Sequence, residues 1–270
     1  MNTRSGSDGA WPAGVGAART VALGEIDAGR EATPALTRYD GSEPVWSHAV
    51  PPYLMKNYWW AYVHPRAVRF WERQWLINLI LFGNFVKLRD AALSELGASL
   101  GGRTLEVACV YGDFSVKLAE RIAPGASLDV VDVLPIQLRN LRRKLPDGAP
   151  VTLHLGDSTA LGFADTTFDQ VIVFFLLHEQ PAGVREQTLK EAVRVVRPGG
   201  KLVIVDYHRP SRWHPLHLVL LKPILRVLEP FSPDLWTHEI SEWLPAGIAA
   251  KAMRKQTFFG GLYQKLAVTL

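Results

Sequence analysis

Residues 103–133 read RTLEVACVYGDFSVKLAERIAPGASLDVVDV, and this stretch decides the fold. Thr104–Ala108 is a short apolar run of strand length. The chain then turns through Gly112 into a helical pattern over Asp113–Ile122, and Ser127–Val133 is a second apolar run. Strand, glycine turn, helix and strand make one βαβ unit, and its two strands lie parallel because the helical crossover returns the chain to its starting edge. The pattern repeats downstream. Pro135–Lys144 is a helix opened by proline, whose missing N–H costs nothing in a first turn. Val151–Leu155 is a third strand. Gln170–Leu176 is a fourth, apolar as a central strand buried on both faces requires. Val184–Val196 is a helix stopped by Pro198-Gly199-Gly200, and Lys201–Asp206 is a fifth strand. Such alternation specifies an α/β fold with a parallel sheet covered on both faces.

Outside this region the pattern changes. Pro215–Leu228 and Ile240–Ala250 are predicted helices, the first a cap helix around residues 214–231. Ala252–Phe259, Gly260-Gly261 and Leu262–Leu270 read as an antiparallel hairpin that brings the sheet to seven strands. Upstream, Arg66–Leu96 has apolar residues at helical spacing in one or two helices, closed by Gly97 and Gly101-Gly102. The expected organisation is a disordered leader over 1–44, rich in Gly, Ala, Ser, Thr and Pro, an aromatic helical cap over 45–100, and the α/β domain over 101–270. Trp46, Trp59, Trp60, Trp71 and Trp75 crowd the cap; aromatics in such numbers serve as core or as a ligand- or lipid-facing surface.

Composition bounds the function. The chain of 270 residues suits one large domain, and 48% hydrophobic with 21% charged residues is ordinary for a folded protein. A formal net charge of +4, with no basic stripe and no nucleic-acid motif, argues against a nucleic-acid partner while suiting an anionic membrane surface. The one cysteine, Cys109, excludes a disulfide framework and a multi-cysteine metal site and fits a reducing cytoplasmic setting. The first residues lack the apolar core of a secretory signal. No apolar run is long enough to span a bilayer; WLINLILFGNFV (75–86) and LHLVLLKPILRVL (216–228) come nearest and are too short.

In open α/β sheets ligands bind beyond the carboxyl ends of the strands, near the point where strand order reverses. The first strand carries Glu106 and ends at Cys109-Val110-Tyr111-Gly112, where free helix N–H groups suit a carboxylate. The second ends at Asp132-Val133, with Asp132 twenty residues beyond Gly112, the spacing of a carboxylate that accepts two ribose hydroxyls. The third places Asp157-Ser158 where an adenine edge would lie. The fourth places His178-Glu179 over a reaction centre. Each has a plainer reading: Asp113 as a helix N-cap, Asp132 as a loop carboxylate, Asp157 as a turn cap, His178 as a satisfied loop histidine. Their order along the sheet is what points to a nucleotide-like cofactor beside a substrate.

On these residues the chain, from about 102 to 210, resembles the class I S-adenosylmethionine methyltransferases, and among them the ubiquinone/menaquinone C-methyltransferases. LEVACVYGDFS stands at that family's glycine-rich loop. GDSTALGFADTTFDQVIV, EAVRVVRPGGKLVIVDYHRP and FFGGLYQKLAV are similar to its later segments. The family loop usually carries two further glycines, at the positions of Cys109 and Val110, which let the methionine part of the cofactor approach the backbone. With the VYGD variant and PPYLMKNYWWAYVHPRAVRFW (51–71), the chain from 46 to 270 resembles the rhodoquinone biosynthesis family, which converts ubiquinone to rhodoquinone with S-adenosylmethionine as amino donor.

That resemblance implies S-adenosylmethionine as cofactor, with Glu106, Val110, Tyr111, Gly112, Asp132, Val133, Asp157 and Ser158 around it. It also implies ubiquinone as substrate, a cytoplasmic protein peripheral to the inner face of a quinone-containing membrane, and a divalent metal such as manganese. Tyr111 or Asp113 would hydrogen-bond or deprotonate the amine, and His178 or Glu179 would protonate the departing methoxy oxygen. Asp113, Asp132 and Glu179 are candidate metal donors, although no ligand motif is visible. Two other readings stay open: orthodox quinone C-methylation, and a non-catalytic binding protein. Membrane contact would fall on His214–Phe231, otherwise a buried cap, or on the aromatic region 58–75.

Overall fold

In the computed structural model, which describes residues 36–42, 50–58, 60–61, 65–109, 111–211, 230–248 and 252–270, the chain opens with a two-residue strand, β1 (Thr37–Arg38). Four short helices follow: α1 (Pro52–Asn57), α2 (Pro65–Trp71), α3 (Gln74–Ile80) and α4 (Phe85–Leu96). The alternating part is β2 (Arg103–Val107), α5 (Phe114–Ala119), β3 (Ser127–Asp132), α6 (Pro135–Lys144), β4 (Val151–Leu155), β5 (Phe168–Phe174), α7 (Ala182–Val195) and β6 (Val196–Tyr207). A short helix α8 (Asp234–Thr237) precedes the terminal hairpin of β7 (Met253–Phe258) and β8 (Tyr263–Thr269). All described residues fall within one unit, Thr33–Leu270.

The strands form one mixed sheet in the order β1-β4-β3-β2-β5-β6-β8-β7. The five central strands are parallel, while the hairpin and β1 pair antiparallel at the two edges. From β2 the chain builds first toward β4 and later, from β5, toward β6, so the order reverses between β2 and β5. Val171, Ile172, Val173 and Phe174 of β5 are wholly buried, as the unbroken apolar run demanded. Phe114 of α5 stacks on Phe174 at 4.1 Å, and Phe85 of α4 meets the same ring edge-on at 6.2 Å, tying the cap to the sheet.

Four expectations change. The sheet has eight strands rather than seven, because Thr37–Arg38, inside the expected leader, covers the open edge of β4. Leu36 beside it fills room left by two glycines: a Cβ on Gly156 would lie 2.8 Å, and one on Gly162 2.7 Å, from its side chain. Pro198-Gly199-Gly200 does not precede a new strand but is absorbed into β6 through a register irregularity against β5, with Gly199 at φ 77°. Ile240–Ala250 is no helix over its described part. A single 3₁₀ turn, Ile240–Trp243, ends where Pro245 holds Leu244 extended at ψ 149°. Arg66–Leu96 holds three short helices, α2 to α4, rather than one or two. The predicted helix over 215–228 lies outside the described residues. Among those described, no helix is long and apolar enough to cross a membrane.

Candidate functional site

The carboxyl ends of β2 and β5, where strand order reverses, each carry a residue in the left-handed region: Ala108 at φ 65° and Phe175 at φ 54°. Non-glycine residues hold that conformation at a cost that the surrounding structure must offset, and such strain concentrates at binding sites. The glycine-like position of the first loop is therefore Ala108, one residue before the two positions that the resemblance singled out. Both residues line a cavity of about 210 Å³ at the carboxyl ends of the central strands.

Asp132 forms the polar wall of this cavity. Its Oδ2 accepts the Cys109 backbone N–H at 3.0 Å and the Cys109 thiol at 3.3 Å, and its Oδ1 accepts the Leu134 N–H at 2.8 Å. Burial pushes its pKa up to about 6, against these donors. The Cys109 thiol, buried beside that carboxylate, is held well above the usual thiol range, so it is an inert packing group. Val133, Asp157 and Ser158 complete this wall. Asp157 Oδ1 accepts both the backbone N–H and the hydroxyl of Thr159 at 2.8 Å, capping a turn while facing the cavity. The Ser158 hydroxyl lies 2.8 Å from that of Thr188 and accepts from Gln180 Nε2 at 3.1 Å.

Tyr111 lines the cavity with its hydroxyl already engaged. It donates to the Ala61 carbonyl at 2.6 Å and accepts from Gln137 Nε2 at 3.0 Å. Burial raises its pKa, so it cannot act as the base that the sequence allowed; it pins the loop to the cap. Gly112 and Asp113 are not part of the cavity wall. The Gly112 carbonyl accepts from Lys144 Nζ at 2.8 Å. Asp113 occupies the N-cap position of α5 without capping it, and its Oδ2 is paired with Arg89 at 2.6 Å. Glu106 lies wholly buried beneath the loop, accepting from Ser115 Oγ at 2.7 Å, and its Oε2 has no hydrogen-bond partner among the described residues. Val110 lies outside the described residues.

Packing explains Gly112 directly. At φ 87° with a Cβ added, it would meet Phe85 Cζ at 2.8 Å and Gln74 Oε1 at 3.1 Å. Gly112→Ala is expected to destabilise the protein by about 1–3 kcal/mol and to loosen the cap, read as a lower thermal midpoint. An unchanged midpoint would mean that the cap does not seat on the loop.

Beyond the end of β5, a 3₁₀ turn at Leu177–Glu179 brings His178 and Glu179 to the same cavity. His178 Nδ1 lies 3.0 Å from Asp206 Oδ1 and its Nε2 3.7 Å from Glu179 Oε1. Asp206, at the end of β6, is wholly buried and accepts the backbone N–H groups of Leu177 and Tyr207 at 2.8 and 2.7 Å. A carboxylate so placed assigns the Nδ1–H tautomer to His178 and leaves Nε2 as the working nitrogen. Sequence reasoning missed Asp206, although the rule it applied to four strand ends would have found it at the fifth. It also missed Tyr53, which α1 delivers to the cavity and whose pKa burial raises, assisted by the charges of Asp157 and Glu179. The other side is apolar: Trp60, Trp71, Ile77 and Phe85 of the cap roof the cavity, with Phe175 below.

This arrangement has counterparts. Residues 104–200 match the family model described as the methyltransferase domain. In three dimensions the chain is similar to phosphoethanolamine N-methyltransferase 2 of Haemonchus contortus, solved in complex with S-adenosyl-L-methionine: TM-score 0.54 and 13% identity, covering 83% of this chain and 60% of that one. An O-methyltransferase family protein from Burkholderia thailandensis gives a TM-score of 0.53 at 18% identity, covering 72% of this chain and 58% of that one. At such identities it is the fold that is shared. The chain has the Rossmann-like fold of the S-adenosylmethionine-dependent methyltransferases, and its central part is what matches the methyltransferase domain.

In sequence the chain is related to demethylmenaquinone methyltransferases. It is 30% identical to that of Geobacillus sp. (strain WCH70) over 136 residues, 50% of this chain and 57% of the relative. It is 28% identical to that of Staphylococcus saprophyticus over 174 residues, 63% of this chain and 72% of the relative. The first alignment thus spans little more than half of the relative's length.

S-adenosylmethionine fits the residues present. Asp132 supplies acceptors in the wall, and Val133, Asp157 and Ser158 line the adjoining side, whereas Glu106, which the resemblance also put around the cofactor, is wholly buried and does not line the cavity. A divalent metal does not fit in the same way. Among the described residues no group of three His, Cys, Asp or Glu side chains converges as a metal site requires, so no step is derived through one.

Proposed function

We propose that this protein is an S-adenosylmethionine-dependent enzyme that replaces a ring methoxy group of ubiquinone by an amino group, working at the face of a quinone-containing membrane. The observation that carries the reading is the loop after β2. The buried Asp132 in the cavity wall supports a ribose-side carboxylate, while the loop after β2 is filled by Cys109, hydrogen-bonded to Asp132, and by Tyr111, anchored to Ala61 and Gln137. A site that aligns a sulfonium methyl with a nucleophile gains from a small, open loop here; a filled loop supports a different presentation of the methionine end.

Within this reading, Asp132 holds the ribose hydroxyls, and Asp157 and Ser158 flank the base. When bound, S-adenosylmethionine would supply the amino group: the ring C–N bond forms as methanol leaves, and the donor's Cα–N bond breaks to leave the nitrogen on the quinone. The apolar roof of Trp60, Trp71 and Phe85 over Phe175 suits a flat, greasy ring and keeps water from it. His178, held by Asp206 as the Nδ1–H tautomer, takes at Nε2 the proton that the amine releases on adding to the ring and passes it to the methoxy oxygen, which leaves as methanol, with Glu179 beside it sharing that proton. Tyr53 is placed to donate to a quinone oxygen.

A second reading, quinone C-methylation, is favoured by the match over residues 104–200 and by the relation to demethylmenaquinone methyltransferases. Purified protein, a short-chain ubiquinone and S-adenosylmethionine labelled separately at its amino nitrogen and its methyl carbon decide between them. The expected product carries the nitrogen label and has lost a methoxy group. A methyl-labelled quinone overturns the proposal in favour of methylation. Cofactor binding without either product leaves only a binding protein.

A further inference from the structure

Among the described residues, the exposed large hydrophobic side chains all fall within Met55–Val86. The helix α3 and the turn after it are apolar on both sides. Leu76, Ile77, Leu81 and Phe85 face inward and are buried. Trp75 and Leu79 are 60% and 64% exposed, and Phe82 and Val86 are each 42% exposed. Trp75 and Leu79 lie one turn apart on α3, Phe82 follows in the turn and Val86 lies in the first turn of α4, so the outward side chains here are as greasy as the inward ones. A helix exposed to water on one face carries polar residues there, and a stripe of this kind marks a contact surface. The backbone holds Phe82 outward at a cost: it sits at φ 51° and stacks at 5.8 Å on Phe259, itself at φ 47°.

The charges around this face are mostly basic, the exposed exception being Asp90, which is paired with Arg89 at 2.8 Å. Lys56, Arg66, Arg69, Arg73 and Lys87 are exposed, whereas the one acidic residue of the segment, Glu72, is turned into an ion pair with Lys144 at 2.7 Å. We infer that the outer face of Met55–Val86, centred on Trp75, Leu79, Phe82 and Val86, docks on an anionic lipid surface. Basic side chains meet the phosphate layer while the apolar stripe enters the acyl boundary. A second copy is disfavoured by the same charges, since a two-fold contact sets this basic rim against itself. Trp60 and Ile80 belong both to the exposed set and to the cavity wall, so the docked face borders the cavity. This deepens the quinone reading by naming where an acyl-phase substrate enters, but it rests on the surface and is tested apart from quinone chemistry.

The test is flotation of the full chain with vesicles of phosphatidylcholine alone and with phosphatidylglycerol added. The wild type is expected to float with the anionic vesicles. Trp75→Ser with Leu79→Ser is expected to weaken binding about tenfold or more, and Arg69→Gln with Arg73→Gln about tenfold, with lost salt sensitivity. Both variants lie outside the cavity wall, so unchanged S-adenosylmethionine binding and thermal midpoint serve as fold controls. No flotation of the wild type overturns the proposal, as does flotation indifferent to both variants. Lipid-independent dimerisation abolished by Trp75→Ser with Leu79→Ser overturns it in favour of a second copy. Vesicle binding without quinone amination removes only the proposed reaction.

Discussion

Glu106→Gln is expected to raise the stability of the protein at neutral and mildly alkaline pH. Glu106 is wholly buried in β2, and burial lifts its pKa to about 8, opposed by the Ser115 hydrogen bond and the Lys144 charge. The folded-state pKa is raised above that of the unfolded chain, so the folded protein holds a proton that the unfolded chain releases. The stability this confers is complete below the unfolded value of 4.5 and is lost as pH rises through about 8. At pH 7 the loss is on the order of 2–3 kcal/mol. A glutamine has no proton to take up, keeps an acceptor for Ser115 Oγ, and turns an unpaired carboxylate oxygen into a neutral amide. Unfolding followed from pH 4 to 8.5 should show wild type and variant alike at the acid end and diverging by several degrees near pH 7–8. Parallel curves would show that Glu106 is not held protonated. Asp132, with its pKa pushed up to about 6, follows the same sign over a lower window, so cofactor binding is expected to weaken as pH falls through 6.

The parallel strands were legible because burial on both faces leaves an unbroken apolar run, as Val171–Phe174 of β5 shows. The site was legible where its residues sit at strand ends: Asp132, Asp157, His178 and Glu179 all face one cavity, as the topology required. What could not be read depends on contacts between distant segments. A two-residue strand such as Thr37–Arg38 has no period, and it exists only because β4 offers an open edge. Asp113 looked like a free acid until Arg89, 24 residues earlier on α4, came within 2.6 Å. Tyr111 looked like a base until the cap placed the Ala61 carbonyl on its hydroxyl. Ile240–Ala250 failed for a local reason already present in the sequence, since Pro245 is incompatible with a continuous helix there.

His178→Ala is expected to lower turnover by about 10²–10³-fold with S-adenosylmethionine binding unchanged, since the ring reaches the cavity from beyond the end of β5 rather than from the Asp132 wall. Asp206→Asn should approach that effect without touching substrate. Asp206 fixes the His178 ring through the 3.0 Å contact to Nδ1 while accepting the Leu177 and Tyr207 backbone N–H groups. An asparagine retains one acceptor oxygen but brings an NH₂ group that competes with those donors, so the ring loses both its orientation and the tautomer that frees Nε2. Asp206 is thus a positioning residue, and a merely structural role predicts something different. If it acts only through the fold, the losses from His178→Ala and Asp206→Asn multiply in the double variant. If it acts through His178, the double variant is no worse than His178→Ala alone. The pH–rate profile supplies the independent readout: the limb belonging to the histidine should move in Asp206→Asn and vanish in His178→Ala. Multiplicative losses with an unmoved profile would assign the proton to Glu179 instead, the neighbouring acid 3.7 Å from the His178 Nε2.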